Sequence, residues 1–305
     1  MAARESRVAA ASRHSLAPTA PERTWLNFNF TRCSRYLEGF KMTEISREIR
    51  EVKDKVVVIT GGTSGIGLSI AKHMLKNGAK YVALFELDHE NSRIVFDELH
   101  KQYHDRIGFY PCDVTKTDLI YNNFDKVMES HKTIDILINN AGIADDNKPE
   151  LSVDINLKAL VVASYKFIAR IGKHKGGKGG VIVNIASIAG IVSGFLPVYC
   201  ATKHGVVGFT RTLQMSYGLT GVRVLAICPS FTNTPIVKLT LNDDLKFLEP
   251  VLRFMSDVYF QSPDSVAKAV IDAIKSSDGD ASVWAVKRDE PAFPIAEKED
   301  YNDYI

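Results

Sequence analysis

A tyrosine and a lysine four residues apart are the pair in this chain whose types and spacing could do chemistry. Tyr199 and Lys203 lie in the stretch Pro-Val-Tyr-Cys-Ala-Thr-Lys, and residues at i and i+4 of a helix share one face. The ammonium group should favour phenolate and lower the pKa of the tyrosine, so the pair is a candidate acid and base. Such pairs are also common on helix surfaces, so other residues have to show whether this one is catalytic.

A glycine-rich turn lies between the first predicted strand and the helix that follows it. The β-branched run at 56–59 predicts a buried strand, and a helical apolar pattern begins at Leu68 and ends at Gly78. Glycines at this position allow a tight turn, so that a pyrophosphate can lie on the helix N-terminus. The absence of a Gly-Lys-Ser/Thr sequence excludes the P-loop pattern. The residues that we expect to bind a dinucleotide here are Gly61, Thr63, Ser64, Gly65, Ile66 and Gly67.

An acidic residue at the end of the second predicted strand favours NAD over NADP. Glu86 follows the glycines by about 20 residues, where a carboxylate accepts hydrogen bonds from the adenosine ribose hydroxyls. No Arg or Lys adjoins the glycines or directly follows Glu86, and the carboxylate would repel a 2′-phosphate. Two alternatives stay open, namely that Asp88 takes this role and that Glu86 is merely solvated.

Strand and helix patterns alternate along most of the chain. The further strands are predicted at 81–85, 107–110, 134–138, 181–185, 222–227 and 281–286, and the further helices at 90–103, 116–130, 151–173, 198–217 and 263–275. Repeated βα units with apolar strands predict a parallel sheet covered by helices on both faces. We therefore predict the α/β class, with a single doubly wound domain of seven parallel strands at 53–287. Residues 234–261 read as an irregular or helical excursion, and 288–305 as a C-terminal tail.

The composition excludes several other classes of protein. The four cysteines are scattered without a Cys-x-x-Cys pair or clustered histidines, so we expect no metal, no disulfide framework and a reducing, cytoplasmic location. Residues 1–41 carry seven Lys or Arg and three acids, which leaves a charge of −2 on the rest of the chain. This near-neutral body gives no reason to expect nucleic acid. No apolar run reaches the ~18 residues of a membrane span.

The N-terminal segment 1–52 is predicted to be an extension of the domain. Its first 41 residues are rich in Ala, Ser and Arg, and Pro18 and Pro21 would break a long helix. This composition favours disorder. A mitochondrial presequence is the alternative, because Arg-rich, Ser-rich and acid-poor segments have that function, and translation from Met42 is another.

Five pieces of the sequence, taken in order and spacing, resemble the short-chain dehydrogenase/reductase family over about 53–287. They are the turn at 60–67, Asp113-Val114, Asn-Asn-Ala-Gly at 139–142, Ser187, and Tyr199 with Lys203. Within the family the chain is most similar to insect alcohol dehydrogenases and NAD-dependent 15-hydroxyprostaglandin dehydrogenases. That likeness rests on the stretches 135–143, 176–180, 197–205 and 227–229.

The resemblance implies a Rossmann domain that transfers a hydride between NAD and a secondary alcohol or ketone. Tyr199 would be the base in oxidation and the acid in reduction, and Lys203 would bind the nicotinamide ribose. Ser187 would bind the substrate oxygen, and Asn156 would support a water relay to the lysine. The other cofactor contacts implied by the resemblance are Asp113, Val114, Asn140, Ala141, Gly142, Pro229, Phe231 and Thr234.

Ser230 departs from the family pattern, in which glycine follows the proline after strand six. Glycine adopts backbone conformations that serine adopts with difficulty, so a serine at this position bears on the geometry beside the expected nicotinamide. We expect Ser230 to take an allowed conformation and to change little. His204 adjoins Lys203, but at i+5 from Tyr199 it should point away from the phenol and be structural.

The residues expected to contact the substrate are mostly apolar. Besides Ser187 and Tyr199 they are Ile143, Ile188 and Leu196, with Ala144, Phe195, Phe231 and the excursion after Thr234 as further candidates. No Arg or Lys is placed to bind a carboxylate or phosphate. This favours a neutral or lipid-like alcohol, such as a hydroxy-prostaglandin-type or a short aliphatic alcohol.

Two other functions and one assembly follow from the same residues. A carbonyl reductase using NAD(P)H and a catalytically silent NAD-binding storage protein are the alternatives to the alcohol dehydrogenase. The resemblance also implies a homodimer, formed through the helix at 198–217 and the segment at 234–261. That helix offers an apolar surface, which packing on the sheet would explain equally well, at Gly205, Val206, Val207, Phe209 and Leu213.

Overall fold

The computed structural model describes residues 49–237, 243–249, 258–276 and 282–295. The predictions for residues 1–48, for the middle of the excursion at 234–261 and for 296–305 lie outside the described residues.

One eight-stranded sheet forms the centre of the fold, in the order β3-β2-β1-β4-β5-β6-β7-β8. Strands β1 to β7 are parallel, and β8 pairs with β7 in the antiparallel sense. The prediction of an α/β fold with seven parallel strands is confirmed. The strands are β1 Val56–Thr60, β2 Tyr81–Glu86, β3 Ile107–Pro111, β4 Ile136–Asn139, β5 Gly180–Ile185, β6 Val222–Pro229, β7 Val283–Val286 and β8 Phe293–Pro294. The edge strand β8 lies in the segment that was predicted to be a C-terminal tail. It was not predicted because two residues are too few to show a strand pattern.

The helices cover both faces of this sheet. They are α1 Gly65–Lys76, α2 Glu90–Tyr103, α3 Thr117–His131, α4 Pro149–Val153, α5 Ala159–Ile171, α6 Pro197–Gln214, α7 Tyr217–Thr220 and α8 Pro263–Lys275. A π-helical turn, Asp154–Lys158, joins α4 to α5 where one helix was predicted. Within the described part of the excursion, the chain forms the 3₁₀ turns Pro235–Val237 and Asp243–Leu248.

Successive residues of the central strands belong to apolar clusters on opposite faces of the sheet. In β1, Val57 and Ile59 belong to the core under α1 and α8, whereas Val56 and Val58 belong to the core under α3 and α5. A strand buried on both faces needs this continuous apolar run, since successive side chains point to opposite faces. Within the part of the chain that the structure describes, no helix is both long and apolar enough to cross a membrane.

Helix α6 packs one apolar face on the sheet, which is one of the two explanations that the sequence left open for its apolar residues. Val206 and Val207 are buried in a cluster with Ala226 and Cys228 of β6. They are therefore not part of a surface available to a second subunit. The reason is the helical period, which turns these two positions towards the sheet when Tyr199 faces the strand ends.

The order of the strands creates a crevice between β1 and β4. Strand β1 has β2 as its neighbour on one side and β4 on the other. The connections that follow β1 and β4 therefore run in opposite directions away from this point. In open parallel sheets, ligands bind beyond the carboxyl ends of the strands at such a switch point. The turns that follow β1 and β4 meet there.

Candidate active site

A cavity of about 860 Å³ lies at the carboxyl ends of the central strands. Its wall is formed by most of the residues that the sequence predicted for the site. Those residues are Gly61, Ser64, Gly65, Ile66, Glu86, Asp113, Val114, Asn140, Ala141, Gly142, Ile143, Ser187, Ile188, Leu196, Tyr199, Lys203, Pro229, Phe231 and Thr234. Thr63, Gly67 and Asn156 do not line the cavity, and each supports the wall from behind.

The glycine turn after β1 leaves the N-terminus of α1 open towards the cavity. Gly61 and Gly65 have φ angles of 69° and 49°, in the left-handed region that favours glycine. A Cβ atom at Gly67 would collide with the Gly61 carbonyl oxygen. Ser64 makes no side-chain cap, and the first turn of α1 contains no acidic residue. A helix N-terminus with free N–H groups and no competing carboxylate fits a pyrophosphate.

Glu86 is held rigidly in the cavity wall. Its Oε2 accepts hydrogen bonds from the Thr63 backbone N–H and hydroxyl, with distances of 3.1 and 2.9 Å. Its Oε1 accepts a third bond from the Leu87 N–H at 3.0 Å. Asp88, the alternative, instead pairs with Arg93 on the surface, with 2.6 Å between the Arg93 Nε and the carboxylate. The geometry therefore favours Glu86 as the ribose-binding acid.

The segment after β4 is tied to the glycine turn. The Asn140 amide donates to the carbonyl oxygens of Thr60 and Gly61, at 3.1 and 2.8 Å. In return, the Thr60 hydroxyl accepts the N–H groups of Asn140 and Ala141, each at 3.0 Å. The two walls of the crevice thus form one connected structure.

Tyr199 and Lys203 reach the cavity from one face of α6. The Lys203 side chain is buried, and its Nζ donates to the Ile185 carbonyl oxygen at 2.8 Å. That Nζ lies 5.6 Å from the centroid of the Tyr199 ring. Ser187 follows Ile185 by two residues and lines the same cavity. The structure therefore brings together the three groups that the sequence pattern predicted.

Asn156 lies in the π-helical turn, behind the wall. Its Oδ1 accepts the Ile143 N–H and its Nδ2 donates to the Ile143 carbonyl, both at 2.8 Å. The same Nδ2 donates to the Thr202 hydroxyl at 3.2 Å, and that hydroxyl donates to the Tyr199 carbonyl at 2.7 Å. Asn156 thus links the substrate side of the cavity to α6, while its water relay stays a prediction.

Ser230 takes a conformation that needs no glycine. Its φ angle is not positive, and its N–H donates to the Val286 carbonyl at 2.9 Å. The buried Gln261 amide, which the sequence analysis missed, donates to the carbonyl oxygens of Ser230 and Val286 at 3.4 and 3.2 Å. Gln261 is 31 residues from Ser230, and no local pattern indicates this contact.

The comparisons with known proteins bear on this arrangement. The family model of the short chain dehydrogenases matches residues 55–244. The chain belongs to the short-chain dehydrogenase family.

Relatives of this short-chain dehydrogenase include enzymes from mammals and insects. It is 34% identical over 233 residues to the 15-hydroxyprostaglandin dehydrogenase [NAD(+)] of Bos taurus, covering 73% of this chain and 87% of that protein. It is 34% identical over 189 residues to alcohol dehydrogenase 1 of Ceratitis cosyra, covering 61% of this chain and 73% of that protein. The crystal structure of levodione reductase has a TM-score of 0.64 at 27% identity, covering 77% of this chain and 96% of that chain. The resemblance inferred from the sequence is confirmed.

Burial corrects the prediction that Lys203 lowers the pKa of Tyr199 in this short-chain dehydrogenase. Burial raises the pKa of Tyr199 to about 12, although a hydrogen bond with the Ser187 side chain lowers it. Burial also lowers the pKa of Lys203 to about 8, because desolvation disfavours the charged ammonium. The tyrosine is therefore a phenol in the protein alone, and a lower pKa requires positive charge placed beside it when the cavity is filled.

The substrate side of the cavity is apolar and aromatic. The rings of Phe195 and Phe231 are 6.3 Å apart, and those of Phe231 and Phe260 are 5.8 Å apart. Among the described residues that line the cavity, Lys203 is the only Lys or Arg, and Asp145 is an acid on the substrate side. His204 is exposed and its Nδ1 lies 2.9 Å from the Cys200 carbonyl oxygen, away from the cavity.

Proposed function

We propose that this protein is an NAD-dependent alcohol dehydrogenase that acts on the CH–OH group of a neutral secondary alcohol. The observation that carries the proposal is the meeting of Ser187, Tyr199 and Lys203 in one cavity with the glycine turn and Glu86. The names of the relatives support the same reaction, since they are NAD-dependent or alcohol dehydrogenases.

The residues that would bind NAD are distributed along the cavity wall. The N-terminus of α1 would bind the pyrophosphate, and the fixed Glu86 carboxylate would accept hydrogen bonds from the adenosine ribose. Lys203 would bind the second ribose, and Phe231 and Thr234 would contact the carboxamide end. When bound, NAD supplies the carbon that accepts or donates the hydride.

Proton transfer falls to Tyr199. In reduction, the phenol donates its proton to the substrate carbonyl oxygen, and in oxidation the phenolate accepts the proton of the alcohol. Ser187 would bind the same oxygen by a hydrogen bond and so orient it towards the phenol. A pKa of Tyr199 of about 12 in the protein alone favours the protonated form, which is the form that donates in reduction.

The charges of the cavity indicate an uncharged substrate. Lys203, the one Lys or Arg among the described residues that line the cavity, already donates to the Ile185 carbonyl. The acid on the substrate side, Asp145, is partly offset by Lys148, whose Nζ lies 3.9 Å from its Oδ2. The described wall therefore offers a substrate carboxylate no cation beyond Lys203. The aromatic rings of Phe195 and Phe231 line the cavity and offer an apolar surface to the body of the substrate, and Phe260 packs against Phe231. A secondary alcohol with an apolar body, free of carboxylate and phosphate, fits this wall best.

We also propose a homodimer in the cytoplasm. Tyr165 of α5 is exposed and its ring lies 5.8 Å from that of Phe209 on α6, while a Cβ at Gly208 would meet open space. A second copy could therefore approach this two-helix face closely. Cys112, Cys200 and Cys228 are free cysteines, which supports a reducing compartment. Light scattering and imaging of a C-terminally tagged full-length chain test these two proposals.

A panel of secondary alcohols and ketones tests the reaction itself. The purified chain should produce NADH absorbance with an apolar alcohol and NAD, and consume NADH with the matching ketone. The rate with NADP should be far lower, because Glu86 repels the 2′-phosphate. Binding of NAD without turnover on the whole panel would instead indicate the silent storage protein.

A further inference from the structure

We infer that Asp146 is a positioning residue for Tyr199, because its carboxylate caps the helix turn that carries the tyrosine. The inference rests on the proposed function, in which Tyr199 transfers the proton. Asp146 was absent from the set predicted by the sequence pattern.

The carboxylate of Asp146 accepts the free N–H groups at the start of α6. The Val198 N–H donates to Oδ2 at 2.8 Å, and the Tyr199 N–H donates to Oδ1 at 3.0 Å. Pro197 has no N–H, and the Cys200 N–H already donates to the Leu196 carbonyl at 2.8 Å. One carboxylate therefore satisfies both remaining donors of the first turn.

The cap comes from a distant part of the chain. Leu196, at the N-cap position, has no side-chain acceptor, so the usual Ser, Thr, Asp or Asn cap is missing. Asp146 lies in the loop after β4, 52 and 53 residues before the groups it accepts. Only 7% of its surface is exposed, so little water can replace the carboxylate. Its removal would leave two donors of the first turn without their acceptor.

The position of the cap links it to catalysis more than to cofactor binding. Tyr199 lies in the capped first turn, whereas Lys203 lies one turn further and is held separately by the Ile185 carbonyl. The neighbouring Asp145 lines the cavity, so the same loop forms part of the substrate wall. Loosening the first turn would displace the phenol from the substrate oxygen while the glycine turn and Lys203 stay in place.

The test compares Asp146→Ala and Asp146→Asn with a matched cap on another helix. The Ser262 hydroxyl accepts the Asp264 N–H at 3.1 Å at the start of α8, a helix without predicted site residues. Ser262→Ala therefore removes a cap from a helix none of whose residues line the cavity. For each variant of the full chain, kcat, KM for the alcohol and the NAD dissociation constant are measured, with hydrogen exchange of peptides that span 196–203.

Asp146→Ala should lower kcat by about 10²-fold, as a displaced catalytic group does, with NAD affinity unchanged. Asp146→Asn retains one acceptor oxygen and should recover part of that loss. Exchange should be faster at 196–203 in Asp146→Ala, whereas Ser262→Ala should keep both kcat and this protection.

Wild-type kcat in Asp146→Ala would overturn the inference, as would parallel losses of kcat and NAD affinity. If Asp146→Ala does not fold, Asp146→Asn decides, and an unchanged kcat with unchanged protection in that variant overturns the inference. A wild-type chain inactive on the alcohol panel would count against the proposed function instead. Hydrogen exchange would then still decide the cap, since unchanged protection at 196–203 in Asp146→Ala would refute it.

Discussion

The buried ammonium group of Lys203 donates a hydrogen bond to the carbonyl oxygen of Ile185, which ends β5. The two atoms are 2.8 Å apart and the side chain is 4% exposed. This bond fixes the helix face that carries Tyr199 against the strand that leads to Ser187. The three groups are therefore held in one geometry by an interaction between a side chain and a strand end.

Replacing Lys203 by methionine should remove both this bond and the charge beside Tyr199. We expect kcat/KM to fall on the order of 10²-fold, with weaker NAD binding, because a positioned cation near the reacting atoms is lost. Lys203→Arg should not restore the rate, since the planar guanidinium cannot replace a buried ammonium on one carbonyl. Initial rates and NAD titrations measure both effects, and a Lys203→Met enzyme with wild-type rates would refute this role.

Removing the Tyr199 hydroxyl should abolish most turnover. Tyr199→Phe keeps the ring and its packing, so NAD should still bind while kcat falls by about 10²-fold to 10⁴-fold. The exposed Tyr165 of α5 offers a matched control, because Tyr165→Phe makes the same chemical change outside the cavity. NADH absorbance and NAD binding are measured for both variants. Turnover of Tyr199→Phe at the rate of Tyr165→Phe would exclude the phenol as the acid and base.

Lys203 should also give the unliganded protein a defined pH dependence of stability. Its pKa is about 8 in the folded protein and 10.5 when unperturbed, so between these values the unfolded chain binds the extra proton. The free energy of unfolding should therefore rise as the pH rises from about 8 to about 10. The contribution of this one group approaches about 3 kcal/mol over the full interval.

Thermal unfolding across this pH range measures the effect, with Lys203→Met as the comparison. The free energy of unfolding of the variant should not rise between pH 8 and 10. Below pH 8 the variant should be more stable than the wild type. Above pH 10 Tyr199 has the opposite effect, and the free energy of unfolding should fall as the pH rises. The reason is that its raised pKa makes the folded protein retain a proton that the unfolded chain loses. If the free energy of unfolding depended on pH in the same way in both proteins, Lys203 would not be a buried ammonium group.

Glu86 should determine the choice between the two nicotinamide cofactors. Glu86→Ala removes the charge that repels a 2′-phosphate, so the ratio of kcat/KM for NAD to that for NADP should fall on the order of 10²-fold. Thr63→Val is the matched control, because it removes one hydrogen bond to Glu86 and keeps the carboxylate. That variant should keep its preference for NAD. An unchanged ratio in Glu86→Ala would show that the preference arises elsewhere.

The charge of the substrate should matter more than its length. A hydroxy-acid and its methyl ester differ mainly in charge, and Asp145 on the substrate side is only partly offset by Lys148, whose Nζ is 3.9 Å away. The ester should therefore have the higher kcat/KM. Asp145→Asn should reduce the difference in kcat/KM between ester and acid, because it removes the repulsion between the two carboxylates. Equal rates for acid and ester in the wild type would exclude selection by charge in this cavity.

The parts of this protein that could be predicted from sequence are those set by local patterns. The β-branched run of β1, the glycines after it and the spacing of Tyr199 and Lys203 need only neighbouring residues for their interpretation. Local patterns therefore predicted seven parallel strands, the cofactor turn and the Tyr199–Lys203 pair, and the family resemblance added Ser187. They missed β8, whose two residues have no pattern of their own.

Tertiary structure decided what depends on contacts between distant segments and on burial. The Asp146 cap on Tyr199 and the Gln261 amide at Ser230 join residues 53 and 31 positions apart, so no spacing in the sequence indicates them. Spacing alone suggested that Lys203 lowers the pKa of Tyr199. Desolvation in the folded protein instead raises the pKa of Tyr199 and lowers the pKa of Lys203. Sequence thus determined which chemical groups the site contains, and folding determined their protonation and their support, because both depend on how much water the packed chain excludes.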